Sequence, residues 1–195
     1  MAALSRVLPG DAIIVADAGT PTPYTAAYYE VHRPGRHVII PRAYGGLGYA
    51  IPATIGAQIA RPDQVVVGLS GDGSFGMSAG ELETIARLKL PVVIVNFNNS
   101  CFGWIKAIQS IHNQGRYLGV DFSTLDHAAV ARAFGLRGTR VERAADLEGA
   151  LEEAIASGRP TLIDVPSESE EKDLPQVLSW RKAAARKAAE AAEAR

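Results

Sequence analysis

Two apolar runs with a helix-forming segment between them constrain this chain more than any other feature. Gln64-Val65-Val66-Val67-Gly68-Leu69-Ser70 and Pro91-Val92-Val93-Ile94-Val95-Asn96-Phe97 have the length and β-branched content of buried strands. Residues 78–89 between them read as a helix. Two buried strands joined by a crossover helix run parallel, so both end at the same edge of the sheet. The first run leads into Gly71-Asp72-Gly73-Ser74 and the second into Asn98-Asn99, with the 24 residues 74–97 between the Gly-Asp-Gly triplet and the Asn pair. Adjacent strands lie about 5 Å apart. Asp72 and Asn99, one just past each strand end, are therefore placed to grip a single cation.

The same alternation continues along the chain. Residues 12–16, 38–40, 138–142 and 161–165 read as further strands. Residues 25–32, 50–60, 126–134 and 145–157 read as helices, the last two closed by Gly135 and Gly158. Strands alternating with helices predict an α/β fold, a doubly wound parallel sheet with helices on both faces, over residues 1–170. The tail, 171–195, reads as a helical extension rich in Ala, Lys, Arg and Glu. Leu174, Val177, Leu178 and Trp180 are its candidates for docking on the domain, and the rest is expected to project or fray.

The donor types at the strand ends narrow the ligand. A carboxylate and an amide carbonyl are hard oxygen donors that suit Mg²⁺, which fills its remaining positions with water and phosphate oxygens. Gly71 and Gly73 let a bulky anion approach the backbone. A helix opening near Ser78 would aim free N–H groups at that anion, and ligands of open parallel sheets bind beyond the carboxyl ends of the strands. The residues thus predict a Mg²⁺–diphosphate site.

Composition removes several alternatives. A net charge of −1 over 195 residues leaves no electrostatic footprint for nucleic acid. The single cysteine, Cys101, excludes an internal disulfide, a CxxC redox pair and a protein-ligated iron–sulfur cluster. No stretch reaches the roughly 18 apolar residues of a membrane span, and 1–11 has no apolar signal core. The expectation is a cytoplasmic protein. His32, His37, His112 and His127 lack metal-ligand spacing, and Asp121 and Asp126 read as loop and helix-capping residues.

GDGSFGMSAGELETIARLKLPVVIVNFNNSCFGW resembles the thiamine diphosphate motif of the acetolactate synthase and 2-oxoacid decarboxylase superfamily. Ala43-Tyr44-Gly45-Gly46-Leu47-Gly48-Tyr49-Ala50-Ile51-Pro52-Ala53 resembles the glycine-rich segment that precedes it there. The likeness runs from Leu8 to about Pro166 and corresponds to the diphosphate-binding domain. It implies Asp72, Asn99 and the Cys101 carbonyl as Mg²⁺ ligands. It implies Ser74 and the Gly73 backbone at the diphosphate, Gly71, Phe102 and Gly103 as further cofactor-binding residues, and Leu47 as the wedge beneath the cofactor. Gly45, with Gly46 beside it, would take the 4′-amino group. In the loop after the first strand, Thr20-Pro21-Thr22 stands where synthase-type relatives often place Gln and His, and Thr20 is the candidate contact. Trp104, Ile105 and Ile108 are candidates for the substrate pocket.

The resemblance also implies a partner. The Glu that protonates the cofactor's aminopyrimidine belongs to a separate pyrimidine-binding domain of roughly 150 residues, and no catalytic residue is expected on this chain. The expectation is one subunit of a split enzyme, assembled with a pyrimidine-domain subunit as a heterotetramer. It would decarboxylate a 2-oxo acid and join the carbanion to a second carbonyl, as acetolactate synthase does. Two alternatives stand beside it. One is a simple decarboxylase of sulfopyruvate or phosphonopyruvate type, for which Lys106 and Arg116 are available cations; the other is a non-catalytic thiamine-diphosphate-binding protein of assembly or regulation.

Overall fold

The computed structural model of the chain describes residues 1–175 and 177–193. Among these, six strands form one all-parallel sheet: β1 Ile13–Ala16, β2 Val38–Ile39, β3 Val66–Gly71, β4 Val93–Asn98, β5 Arg137–Arg140 and β6 Thr161–Pro166. Their order is β2-β1-β3-β4-β6-β5. The helices are α1 Ala2–Val7, α2 Pro21–Tyr28, α3 Ala50–Ala60, α4 Asp72–Ser78, α5 Leu82–Leu88, α6 Gly103–His112, α7 His127–Ala133, α8 Leu147–Ala156 and α9 Leu178–Glu193. The doubly wound parallel sheet expected from the sequence is the architecture observed.

The pleat divides each strand between two cores. Ile14, Ala16, Val67, Leu69, Val93, Val95 and Ile163 pack on one face with Leu4 of α1 and Leu151 of α8. Ile13, Val15, Val66, Ile94 and Leu162 pack on the other with Ile51 and Ile55 of α3, Phe75 of α4 and Ile85 of α5. The central strands are apolar on both sides, hence their continuous hydrophobic runs. Gly68 shows how closely α3 lies on the sheet: a Cβ there would stand 2.5 Å from Thr54 Oγ1 and 2.8 Å from Ile94 Cδ1.

Two helices differ from expectation. Residues 25–32 were expected to be helical, but α2 starts at Pro21 and ends at Tyr28. Proline supplies a helical φ and lacks only an N–H that the first turn leaves unpaired, so Pro21 is a favourable first residue. The single helix expected over 78–89 is in fact two. The chain passes from β3 straight into α4 at Asp72, tightens into a 3₁₀ turn over Ala79–Glu81, and resumes as α5. The helix that opens on the sheet edge therefore starts six residues before Ser78, at the Asp itself.

The tail is docked where it meets the domain. Trp180 of α9 packs on Trp104 of α6, ring centres 4.2 Å apart and planes inclined by 41°. Pro175 and Val177 border a small hollow beside Tyr24 and Tyr28 of α2. The side chains of Leu178 and of 187 onward lie outside the described residues.

Candidate functional site

β3 and β4 are hydrogen-bonded neighbours, with Gly71 in register with Phe97. Asp72 is the first residue beyond β3 and Asn99 the first beyond β4. Both line one cleft of about 200 Å³ at the carboxyl edge of the sheet. Gly71, Gly73 and Ser74 form its floor with them. Thr20, Gly45 and Leu47 close one side, and Cys101, Phe102, Gly103, Trp104 and Ile105 the other.

Asp72 is the electrostatic centre of the cleft. It is buried, and its Oδ1 accepts the Gly73 N–H at 2.8 Å. Oδ2 is buried without a hydrogen-bond partner. Burial pushes its carboxyl above the ordinary carboxylate range. The amides of Gly73, Ser100 and Cys101 temper that shift without closing a bond to Oδ2. A buried carboxylate oxygen with nothing to accept costs free energy unless a cation meets it.

The loop after β4 is shaped to face Asp72. Ser100 takes a left-handed φ of 55°, which turns the chain back so that Cys101 bridges to Asp121. That bridge is closed by the Ser100 and Val120 carbonyls, so the Cys101 carbonyl is not consumed by it. Asn99 Oδ1 accepts the Cys101 N–H at 3.2 Å, while its Nδ2 donates to Glu170 Oε2 at 3.1 Å. Gly103 is a cradle: a Cβ there would lie 1.8 Å from Glu170 Oε2 and 2.5 Å from Asn99 Nδ2. Gly103→Ala is expected to weaken pyrophosphate binding by at least about tenfold, because the added methyl would stand 2.5 Å from Asn99 Nδ2 and push that amide out of reach of an incoming anion, a charge-assisted hydrogen bond worth ~1.5–3 kcal/mol. Calorimetric titration checks the affinity, and a melting curve within a few degrees of wild type shows that the fold survives.

Not every residue expected at the site arrives there. Gly46 is exposed and Ile108 is 37% exposed; neither lines the cleft, since one lies outward on its loop and the other outward on α6. Gly73 does line it, yet its missing side chain serves packing: a Cβ would stand 2.4 Å from the Phe102 ring, which in turn meets Phe122 edge-on. The Ser74 hydroxyl is engaged by Asp17. The Thr22 hydroxyl donates to the Asp17 carbonyl at 2.6 Å and is unavailable to an anion, whereas the Thr20 hydroxyl faces the cleft and donates to Glu170. Lys106 is held by Asp121 at 2.7 Å and Glu171 at 3.2 Å, and Arg116 is exposed, so neither cation lines the cleft.

Three features escaped sequence reasoning. Asp17, fully buried, accepts the Ala18 N–H at 2.8 Å and the Ala50 N–H at 3.1 Å, tying the Leu47 loop to the end of β1. Its place at a strand end was the available signal. Glu170 enters from a segment that reads as polar linker, and nothing local marks it. Asp164, fully buried in β6, gathers Asn96 and Asn98 of β4, both at 3.2 Å, Arg140 at 3.0 Å and His127 at 3.3 Å. Polar residues at alternate positions of an otherwise apolar strand were its trace.

A parallel α/β sheet with a carboxylate and an amide at adjacent strand ends, opening on a glycine-lined cleft, has the architecture of a cofactor-binding domain. Residues 17–165 match the family described as thiamine pyrophosphate enzyme, C-terminal TPP binding domain, and the chain belongs to that family. It is 33% identical over 166 residues to benzoylformate decarboxylase of Pseudomonas aeruginosa, covering 85% of this chain and 31% of that protein. It is 34% identical over 175 residues to the acetolactate synthase isozyme 2 large subunit of Escherichia coli, covering 89% and 32%. Among solved structures, the thiamine diphosphate-dependent 4-hydroxybenzoylformate decarboxylase of Rhodococcus jostii RHA1 superposes with a TM-score of 0.80 at 36% identity, covering 87% of this chain and 32% of that one. The chain thus spans about a third of the length of the relatives it matches. Among the described residues, no helix is long and apolar enough to cross a membrane.

Proposed function

We propose that this chain is the diphosphate- and Mg²⁺-binding part of a thiamine diphosphate enzyme that acts on a 2-oxo acid and is completed by a pyrimidine-domain subunit in a heterotetramer. The observation that carries the reading is the unpartnered Asp72 Oδ2 in a cleft it shares with Asn99. A protein that bound no cation here would have no use for a buried, uncompensated carboxylate, which only costs stability.

In this reading Asp72, the Asn99 side-chain oxygen and the Cys101 carbonyl hold the cation. The Thr20 hydroxyl, the Asn99 amide and the backbone around Gly103 receive the diphosphate. The bound cofactor supplies the nucleophilic carbon and the electron sink. Leu47, held to β1 by Asp17 through the start of α3, supports the cofactor from beneath. Trp104 and Ile105 make the substrate side apolar and limit access of water.

The partner is supported by the surface around the cleft. Tyr44, next to Gly45, is fully exposed, and Met77 and Ile105 are 58% and 42% exposed. Ile105 lines the cleft, and Tyr44 is the chain neighbour of the lining Gly45; exposed apolar side chains placed so suit a covering subunit. The preferred substrate is a 2-oxo acid without a second anionic group, since Lys106 and Arg116 are turned elsewhere. We place carboligation first, as in the acetolactate synthases. Simple decarboxylation of an apolar 2-oxo acid is the second reading, favoured by the likeness to 4-hydroxybenzoylformate decarboxylase.

The test is to purify the chain alone and together with a pyrimidine-domain protein encoded beside it, and to assay both with thiamine diphosphate, Mg²⁺ and pyruvate or benzoylformate. Turnover is expected only in the mixture, with an acyloin or acetohydroxy acid as product. Aldehyde alone would select the second reading, and full activity of the isolated chain would refute the need for a partner.

A further inference from the structure

We propose that Glu170 is an internal stand-in for a phosphate group, and that the diphosphate enters this site by expelling it. The proposal rests on the cofactor reading above. Glu170 is 3% exposed although it lies in the polar segment after β6. Its carboxylate takes the Thr20 hydroxyl with one oxygen and the Asn99 amide with the other. It rests against the Gly103 backbone, where even a methyl group would collide with it. These are the donors and the cradle that an anionic diphosphate would need. One set of donors cannot serve two anions at once.

The surroundings make that occupancy a restrained one. Glu170 is held in place by its chain neighbours. Ser167 N–H donates to the Asn98 carbonyl at 2.9 Å, Ser169 Oγ meets Cys101 Sγ at 3.1 Å, and Glu171 pairs with Lys106 at 3.2 Å. The segment 167–173 is thus a strap across the strand ends, with Glu170 as its inward tooth. Ligand affinity is lowered by the fraction of molecules in which the tooth fills the cleft.

The test is calorimetric titration of Mg²⁺ with inorganic pyrophosphate into the wild-type chain, Glu170→Ala and Glu170→Gln, with melting curves to confirm folding. Glu170→Ala is expected to bind about tenfold more tightly or better, as removal of a competing state predicts. Glu170→Gln, which keeps the shape but not the charge, should also gain. In the wild-type chain, amide exchange at Ser167 and Lys172 should accelerate on saturation. Unchanged affinity in Glu170→Ala would make Glu170 a bystander, and weaker affinity would make it a ligand of the cation; either overturns the proposal while leaving the cofactor site standing. Binding by none of the three proteins would overturn the site and the proposal together.

Discussion

Asp72→Asn should melt higher than the wild-type chain while losing its response to Mg²⁺. The side chain is buried and one of its oxygens has no partner. Its place in the first turn of α4 favours negative charge by about 0.3–1 kcal/mol. Burial outweighs that, because the carboxyl sits above its ordinary range in the folded chain. A group shifted upward in this way favours folding most when protonated. Its contribution is full below the unfolded carboxylate pKa and is lost as pH rises through the higher folded value. At neutral pH the metal-free wild type therefore carries a penalty that the neutral amide avoids, on the order of 1 kcal/mol. For a chain of this size that is a rise of about 2–4 °C in melting temperature. The difference should shrink as pH falls toward the ordinary carboxylate range. In the same variant Mg²⁺-dependent thiamine diphosphate affinity should fall by about 100-fold or more, since disturbing even the groups around metal ligands costs 10–100-fold. Scanning calorimetry with and without Mg²⁺ and cofactor reads both effects. A variant that melts lower, or that binds as well as wild type, would remove Asp72 from the role given to it.

Asp164→Ala is expected to do the reverse, destabilising the chain whether or not ligand is bound. Asp164 is fully buried, yet its carboxyl is held below the ordinary range. Burial pushes it up, and the adjacent His127 ring together with the bonds from Asn96 and Asn98 more than offsets that. Removing it strands two asparagine amides, the Arg140 guanidinium and the His127 ring around a void. Breaking a buried charged network in this way costs about 3–5 kcal/mol, a loss of roughly 10 °C or more in melting temperature at this chain length. The pH sign is opposite to that of Asp72. The stabilisation is complete above the unfolded carboxylate pKa and disappears as pH falls through the lower folded value. Acid titration of wild type and variant, followed by circular dichroism, should show their stabilities converging at low pH. Equal melting temperatures at neutral pH would show that the network is ornamental.

The contrast between these two acids explains what was legible in the sequence. The fold was legible because β3, β4 and β6 are buried on both faces and so appear as continuous apolar runs, a signal independent of partners distant in the chain. Asp72 and Asn99 were legible because each directly follows such a run. The break at Ser78–Glu81 was not, because a helix that leaves a strand without a connecting loop has no separate start signal. Glu170 and Asp164 were hidden for another reason. Their roles depend on groups 24 to 150 residues away in the chain, and a local pattern cannot register a contact made only by the tertiary fold. Gly73 has a second role beyond lining the cleft: its bareness admits the Phe102 ring, which no spacing rule would reveal.

The stacked pair Trp104 and Trp180 has a practical consequence. They are the only two indoles in the chain, and they couple the mouth of the cleft to the terminal helix. Intrinsic emission is therefore a local gauge, recording whether that helix is seated rather than whether the sheet is folded. An early optical transition during heating, ahead of the calorimetric one, would mean that the tail lifts off before the domain unfolds.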